Sequence, residues 1–437
     1  GSSSAQGSTS SLLRSTSIRK HYTSLVHPSV MPLATLAACA ALALLAVGAD
    51  AVEEDAAYSC STYGESCAAE GDAVSLIQSR NLISRRSAPP PYKGPFASRR
   101  SCRNIGGGSA QCFPDIMLVG ASKAGTSSVT EALKNHPSVD IQTGLLPDSL
   151  AFEGGKGVND EMHLFDYHLV PHAMMTTLHW ATAPAVPESR VGYELQLHYT
   201  PNYMYFPDAP FNIYDVYPNV HSIKYLFMVR DPTQRAVSSW KFHRQITMEI
   251  RPFDMVVSQG MRQRRNLEAC YKDQLQKMNK TARYVEDLSM ADQLLVIQRC
   301  FWGKLDTHDL TTPPETPLAL AHAHVDKGIY ADQLRRWFSV VGRENCFVFS
   351  LEEWAANETD VYLQIMNFTG LPAVGQHGFK DVATLTRTVQ QRINANEDLA
   401  GLLPEPPKPE QSLLDQLDQF YKPYNEELFK LVGRRLY

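Results

Sequence analysis

Residues 115–139 read DIMLVGASKAGTSSVTEALKNHPSV, and the order of residue types in this stretch decides the fold class. Residues 116–119 are a short unbroken apolar run, the pattern of a strand buried on both faces of a parallel sheet. Residues 120–128 are small, with one lysine among them, and read as a loop. From Val129 the spacing turns helical, with Val129, Ala132 and Leu133 on one face. Strand, small-residue loop and helix in that order make the opening unit of an α/β domain. A helix N-terminus there turns free backbone N–H groups and a positive dipole end towards the loop, which suits a phosphate-like anion.

The spacing Gly120-x-x-x-x-Gly125 is that of a phosphate-binding P-loop. The two residues that would then be Lys-[Ser/Thr] are Thr126-Ser127, and the lysine sits inside the loop as Lys123. A P-loop kinase sends its lysine to the β- and γ-phosphates beside a magnesium ion and needs an acidic residue after a later strand. The corresponding strand here, Lys224–Val229 (KYLFMV), runs into Arg230-Asp231-Pro232 instead, with Ser238 eight residues after Arg230. Residues 235–242 have helical composition, so Ser238 can turn back towards the strand end and join Arg230 in holding a second phosphate through charge-assisted hydrogen bonds. Between the two segments lies DEMHLFD, residues 160–166. Glu161 and His163 are two apart and share a face on extended backbone, a suitable pair for taking a proton from an attacking hydroxyl or amine.

Lys123-Ala124-Gly125-Thr126-Ser127-Ser128 resembles the 5′-phosphosulfate loop of sulfotransferases, with Ala124 where Gly is common. Arg230-Asp231-Pro232 with Ser238 resembles their 3′-phosphate segment. The stretch around Glu161 and His163 resembles the Lys-Glu-x-His-Phe-Phe pattern of heparan-type and related glycan sulfotransferases, with Asp160 for the Lys and Leu164 for one Phe. Tyr199-Thr200-Pro201-Asn202-Tyr203 is similar to a Lys-[Ser/Thr]-Pro-x-Tyr segment of the same family, with Tyr199 for the Lys. KGIYADQLRRW (327–337) and FYKPYNEELFKLV (420–432) resemble two later helices. The resemblance spans residues 115–437 and implies 3′-phosphoadenosine-5′-phosphosulfate (PAPS) as co-substrate and no metal. It implies binding by Lys123, Ala124, Gly125, Thr126, Ser127, Ser128, Arg230, Ser238, Lys327 and Gly328. Lys123 would act on the bridging oxygen, with Glu161 as base and His163 orienting it or replacing it. The acceptor is a carbohydrate or, alternatively, a small-molecule alcohol or amine. A kinase and a non-catalytic glycan-binding relative are the two other readings. The missing lysines at Asp160 and Tyr199 point to an acceptor less acidic than heparan, or to other contacts.

The rest of the chain places this domain. Of 437 residues, 20% are charged and 43% hydrophobic, with a formal net charge of −5, so composition gives no sign of a nucleic-acid binder. Residues 1–30 are rich in Ser and Thr, with Arg14, Arg19 and Lys20, and read as a cytosolic tail. Residues 31–49 are uncharged and near the length that spans a bilayer. The basic residues before them imply a signal anchor in type II topology; the rival reading is a signal peptide starting at Met31. Either puts the body in the secretory pathway, with the Golgi membrane as the expected location. Seven of the eight cysteines follow this run. Cys60 with Cys67, and Cys102 with Cys112, suit local disulfides, Cys270 and Cys300 suit a loop closure, and Cys346 suits a buried thiol. Asn279, Asn357 and Asn367 open Asn-x-Thr sequons. Residues 50–113 read as a flexible stem and 114–437 as one domain: three layers, a mainly parallel P-loop-like sheet flanked by helices, with the nucleotide at the carboxyl ends of the strands. Residues 251–312 read as a charged, mostly helical insertion beside the acceptor cleft.

Overall fold

The computed structural model describes residues 94–96, 101–142, 161–166, 172–245, 249–278, 281–302, 323–372 and 406–437. The strands are β1 (Cys102–Gly106), β2 (Ser109–Cys112), β3 (Ile116–Gly120), β4 (Val139–Gln142), β5 (Val186–Pro187), β6 (Leu195–Tyr199), β7 (Lys224–Val229) and β8 (Cys346–Ser350). Five of them form one sheet in the order β4-β6-β3-β7-β8, and every pair in it is parallel. The helices are α1 (Thr126–Lys134), α2 (His172–Thr182), α3 (Ala209–Val216), α4 (Pro232–Gln245), α5 (Phe253–Lys277), α6 (Met290–Ile297), α7 (Tyr330–Val341), α8 (Leu351–Ala356), α9 (Glu358–Thr369) and α10 (Gln411–Val432).

The central strands are apolar throughout because both faces are covered. Along β3 and β7 the side chains alternate between two cores. Met117, Val119, Tyr225, Phe227 and Val229 pack with Phe211 and Ile213 of α3, Leu334 and Trp337 of α7 and Leu428 of α10. Ile116, Leu118, Leu226 and Met228 pack with Val129, Ala132 and Leu133 of α1, Trp354 of α8 and Tyr362 and Ile365 of α9. The result is the three-layer α/β architecture the sequence led us to expect. Burial of each Leu or Ile in these layers is worth about 1.5–3 kcal/mol relative to exposure. Asp115 stitches the strand starts together: its carboxylate accepts the Gln196 N–H at 2.8 Å and its carbonyl the Lys224 N–H at 2.9 Å.

Two features refine the sequence reading. The end of the expected stem is folded: β1 and β2 form an antiparallel hairpin closed by the Cys102–Cys112 disulfide. Gly106, Gly107 and Gly108, read as linker residues, supply the positive φ angles of its turn. Pairing of β2 with β5 and hydrogen bonds from Gln111 to the Trp180 and Ala183 carbonyls fasten the hairpin to the body. The charged segment after residue 251 carries α5, a 3₁₀ turn at Val285–Asp287, α6 and a π turn at Gln298–Trp302, and the Cys270–Cys300 disulfide joins α5 to that π turn. Cys346 is a buried thiol. Residues 31–49, Cys60, Cys67, Asp160, Asn279 and 303–312 lie outside the described residues. Among those described, no helix is long and apolar enough to cross a membrane.

Candidate active site

The carboxyl ends of β3, β6 and β7 carry the candidate residues. β3 ends at Gly120, whose backbone passes so close to the next segment that a Cβ would lie 2.5 Å from Met204 Cβ and 2.8 Å from the Pro201 carbonyl oxygen. Gly125 takes φ +93 and starts α1 with no side-chain cap. The helix therefore begins at Thr126, earlier than the apolar spacing suggests. Thr126, Ser127 and Ser128 fill its first turn, where N–H groups point outwards. Ala124 is fully buried beneath the loop.

Lys123, at φ +65, projects from this loop and lies over the Phe242 ring of α4 at 3.8 Å. Burial lowers its pKa to about 8; the carboxylate of Glu161 opposes that shift and the Arg230 guanidinium adds to it. Arg230 follows β7 directly and is half-buried. Desolvation lowers its pKa too, against the pull of Glu352. Its carbonyl accepts from Tyr330 Oη at 3.0 Å, and the Asp231 N–H donates to Glu352 Oε1 at 3.1 Å, which fixes the strand end. Ser238 is half-buried on α4.

Lys327 lies in the 3₁₀ turn Asp326–Gly328 and is buried. Nζ donates to Asn202 Oδ1 at 3.3 Å. Burial lowers its pKa to about 7, Arg235 pushes it the same way and Asp166 opposes both. Gly328, in the same turn, packs closely: a Cβ there would lie 2.9 Å from Pro232 Cβ and 3.0 Å from Tyr421. Among the described residues, no carboxylate forms an ion pair with Lys123, Arg230 or Lys327. Lys123 and Arg230, desolvated beside a helix N-terminus that has no side-chain cap, form an anion site.

Arg235, which carried no sequence signal, holds this site together. It is fully buried on α4, and its guanidinium donates to the Ser122 carbonyl at 3.3 Å and to the His324 carbonyl. One side chain thus joins the Lys123 loop to the turn carrying Lys327. His324 is in turn held by Ser239 Oγ at 2.9 Å and Glu249 Oε2 at 3.1 Å.

Glu161 and His163 meet, as their spacing suggested, but through a turn rather than a strand. Glu161 forms a single bridge to Tyr199, and His163 takes φ +48. The Met162 and His163 N–H groups both donate to Thr200 Oγ1 at 3.1 Å, and the Leu164 N–H donates to Tyr203 Oη at 2.7 Å. The end of β6 thereby fixes the segment. His163 Nε2 is 2.9 Å from Glu161 Oε2, and Nδ1 is 2.6 Å from Asp166 Oδ2. Burial alone would lower the imidazole pKa, but Asp166 and Glu161 outweigh it and hold it well above the ordinary value. With a carboxylate oxygen within hydrogen-bond distance of each ring nitrogen, the charged imidazolium can donate to both. Asp166, three residues from His163, was missed because the helical spacing that relates them was not expected in a loop. The geometry joins an anion cradle to an oriented carboxylate, the equipment for moving an anionic group onto a deprotonated nucleophile.

Comparison with known proteins identifies the family of the domain. The family described as the sulfotransferase domain matches residues 113–392. Among solved structures, the chain is similar to a sulfotransferase from Alicyclobacillus acidocaldarius, at 18% identity over 74% of this chain and 96% of that one, with a TM-score of 0.41. It is also similar to the sulfotransferase domain from the curacin biosynthetic pathway, at 13% identity over 71% of this chain and 97% of that one, with a TM-score of 0.31.

Proposed function

The chain belongs to the sulfotransferase domain family, and from that premise we propose that it transfers the sulfuryl group of PAPS to a hydroxyl or amine of an acceptor, with a carbohydrate as the favoured class. The observation that carries the reading is Lys123 in the loop that opens the uncapped start of α1, with the Arg230 guanidinium close enough to act on it and no carboxylate paired to either among the described residues. PAPS supplies an activated sulfuryl group whose S–O bond to phosphate breaks as the acceptor oxygen or nitrogen bonds to sulfur. Lys123 and the hydroxyls of Thr126, Ser127 and Ser128 hold the 5′ end and stabilise the charge that develops on the departing phosphate oxygen. Arg230 and Ser238 hold the 3′-phosphate. Glu161 takes the acceptor proton, and the His163 imidazolium, itself fixed by Asp166, orients that carboxylate.

A lumenal body in the Golgi, held by residues 31–49 in type II topology, completes the proposal. The two disulfides of the body, Cys102–Cys112 and Cys270–Cys300, support an oxidising compartment. The test is transfer of labelled sulfate from PAPS to a panel of desulfated glycans, small alcohols and amines, beside binding of adenosine 3′,5′-bisphosphate and of ATP with magnesium. Transfer to a glycan is the expected result. Transfer to small molecules alone replaces the acceptor class. Tight ATP–magnesium binding without bisphosphate binding overturns the reading in favour of a kinase, and bisphosphate binding without turnover overturns it in favour of a glycan-binding relative.

A further inference from the structure

Tyr199 ends β6 at the point where the anion cradle and the Glu161 segment meet. Its hydroxyl lies 3.0 Å from Thr126 Oγ1 and 3.4 Å from Ser127 Oγ, both in the first turn of α1. Its carbonyl accepts the Met162 N–H at 3.2 Å, and it bridges to Glu161. The ring is 2% exposed and packs with Val129 and Leu133 of α1, so the position of the hydroxyl is set by the core. A phenol has one proton to give and lone pairs to receive with. A threonine or serine hydroxyl that receives the Tyr199 proton keeps its own free to donate outwards, to an anion at the helix N-terminus. The resembling family segment has a lysine at this position. A lysine cannot accept a hydrogen bond, so it cannot order neighbouring hydroxyls in the same way.

We propose that Tyr199 is a positioning residue for sulfuryl transfer: it gives its one proton to the nearer hydroxyl, Thr126 Oγ1, sets that hydroxyl as a donor to the transferring group and couples it to the strand end that carries Glu161. It acts through that hydroxyl and does not itself touch the reacting atoms. The proposal rests on the reading of this cradle as the PAPS site.

Tyr199→Phe removes the hydroxyl and keeps the ring, so it tests the role with little change in packing. The expected result is a fall of about tenfold in kcat/KM for PAPS, the size of one lost buried hydrogen bond, with KM for the acceptor unchanged. The Thr126→Val variant falls by a similar factor, and the Tyr199→Phe/Thr126→Val double variant falls no further than the worse single one, because the two groups act as a unit. A Tyr199→Phe enzyme with the parent kcat/KM overturns the proposal. So does a double variant whose losses multiply in full, or a loss that appears only as a lower melting temperature. These outcomes separate from failure of the functional reading, in which the parent itself neither binds adenosine 3′,5′-bisphosphate nor transfers sulfate and the Tyr199 proposal falls with it.

Discussion

Raising the pH from 7 to 9 is expected to weaken binding of adenosine 3′,5′-bisphosphate by about 500-fold. The cause is the proton deficit of two buried lysines, Lys327 with a pKa of about 7 and Lys123 with a pKa of about 8. Burial lowers both in the free protein, and a bound polyanion returns both towards the ordinary lysine value of about 10.4. Binding therefore takes up protons, and affinity falls as pH climbs through the free values. At pH 7 about half of Lys327 and nine-tenths of Lys123 carry a proton; at pH 9 these fractions are about one-hundredth and one-eleventh, and the ratio of their products gives the factor. The ligand adds little to this slope, because phosphate second pKa values lie near 6. At pH 8 about 1.4 protons enter per nucleotide bound, from nine-tenths of Lys327 and half of Lys123. Isothermal titration in Tris and in Hepes at that pH reads the number directly, since the buffer's ionisation heat is added once per proton. In a Lys327→Met protein the pH 7 to 9 loss shrinks to about tenfold, the share of Lys123 alone. Identical heats in the two buffers, with a flat affinity from pH 7 to 9, would refute the reasoning.

Glu161→Gln is expected to lower kcat by about 10²–10⁴-fold while the dissociation constant for adenosine 3′,5′-bisphosphate stays within a few-fold of the parent; stopped-time assays with labelled PAPS measure the first and titration the second. Lys123→Ala is expected to cost about 10²–10³ in kcat, as loss of a donor to the departing oxygen does, with the far-ultraviolet circular dichroism unchanged. Replacing Cys270 and Cys300 by serine opens a loop with a sequence separation of 30 and is expected to cost about 3–4 kcal/mol on the chain-entropy scale, read from urea denaturation. Gly125→Ala is expected to destabilise the protein by about 1–3 kcal/mol, since φ is +93 and Cβ would lie 2.8 Å from Leu351 Cδ1; its melting temperature gives the check.

The parts legible in the sequence are those coded by local pattern. β3, the glycine-bounded loop and α1 follow one another within 20 residues, and β7 with Arg230 repeats the apolar-run signal. The Cys102 and Cys112 spacing and the Cys270 and Cys300 pairing were readable as loop closures. Arg235 was not readable, because its role exists only across the fold. Arg235 meets the Ser122 and His324 carbonyls from helix α4, at separations of 113 and 89 residues. Asp166 meets the His163 ring three residues away in a bend where His163 takes φ +48, a local geometry that the residue types do not announce. The hairpin at residues 102–112 was hidden by its three consecutive glycines, whose composition is that of a linker until pairing with β5 gives them a turn to make.

The central claim is that Lys123 and Arg230 grip opposite ends of one nucleotide, and a crystal structure of the protein with adenosine 3′,5′-bisphosphate tests it most directly. The expected result is a 5′-phosphate about 3 Å from Lys123 Nζ and the first turn of α1, with the 3′-phosphate of the same molecule on Arg230 and Ser238. A nucleotide seated elsewhere, or one that reaches Lys123 while no part of it touches Arg230, would contradict it.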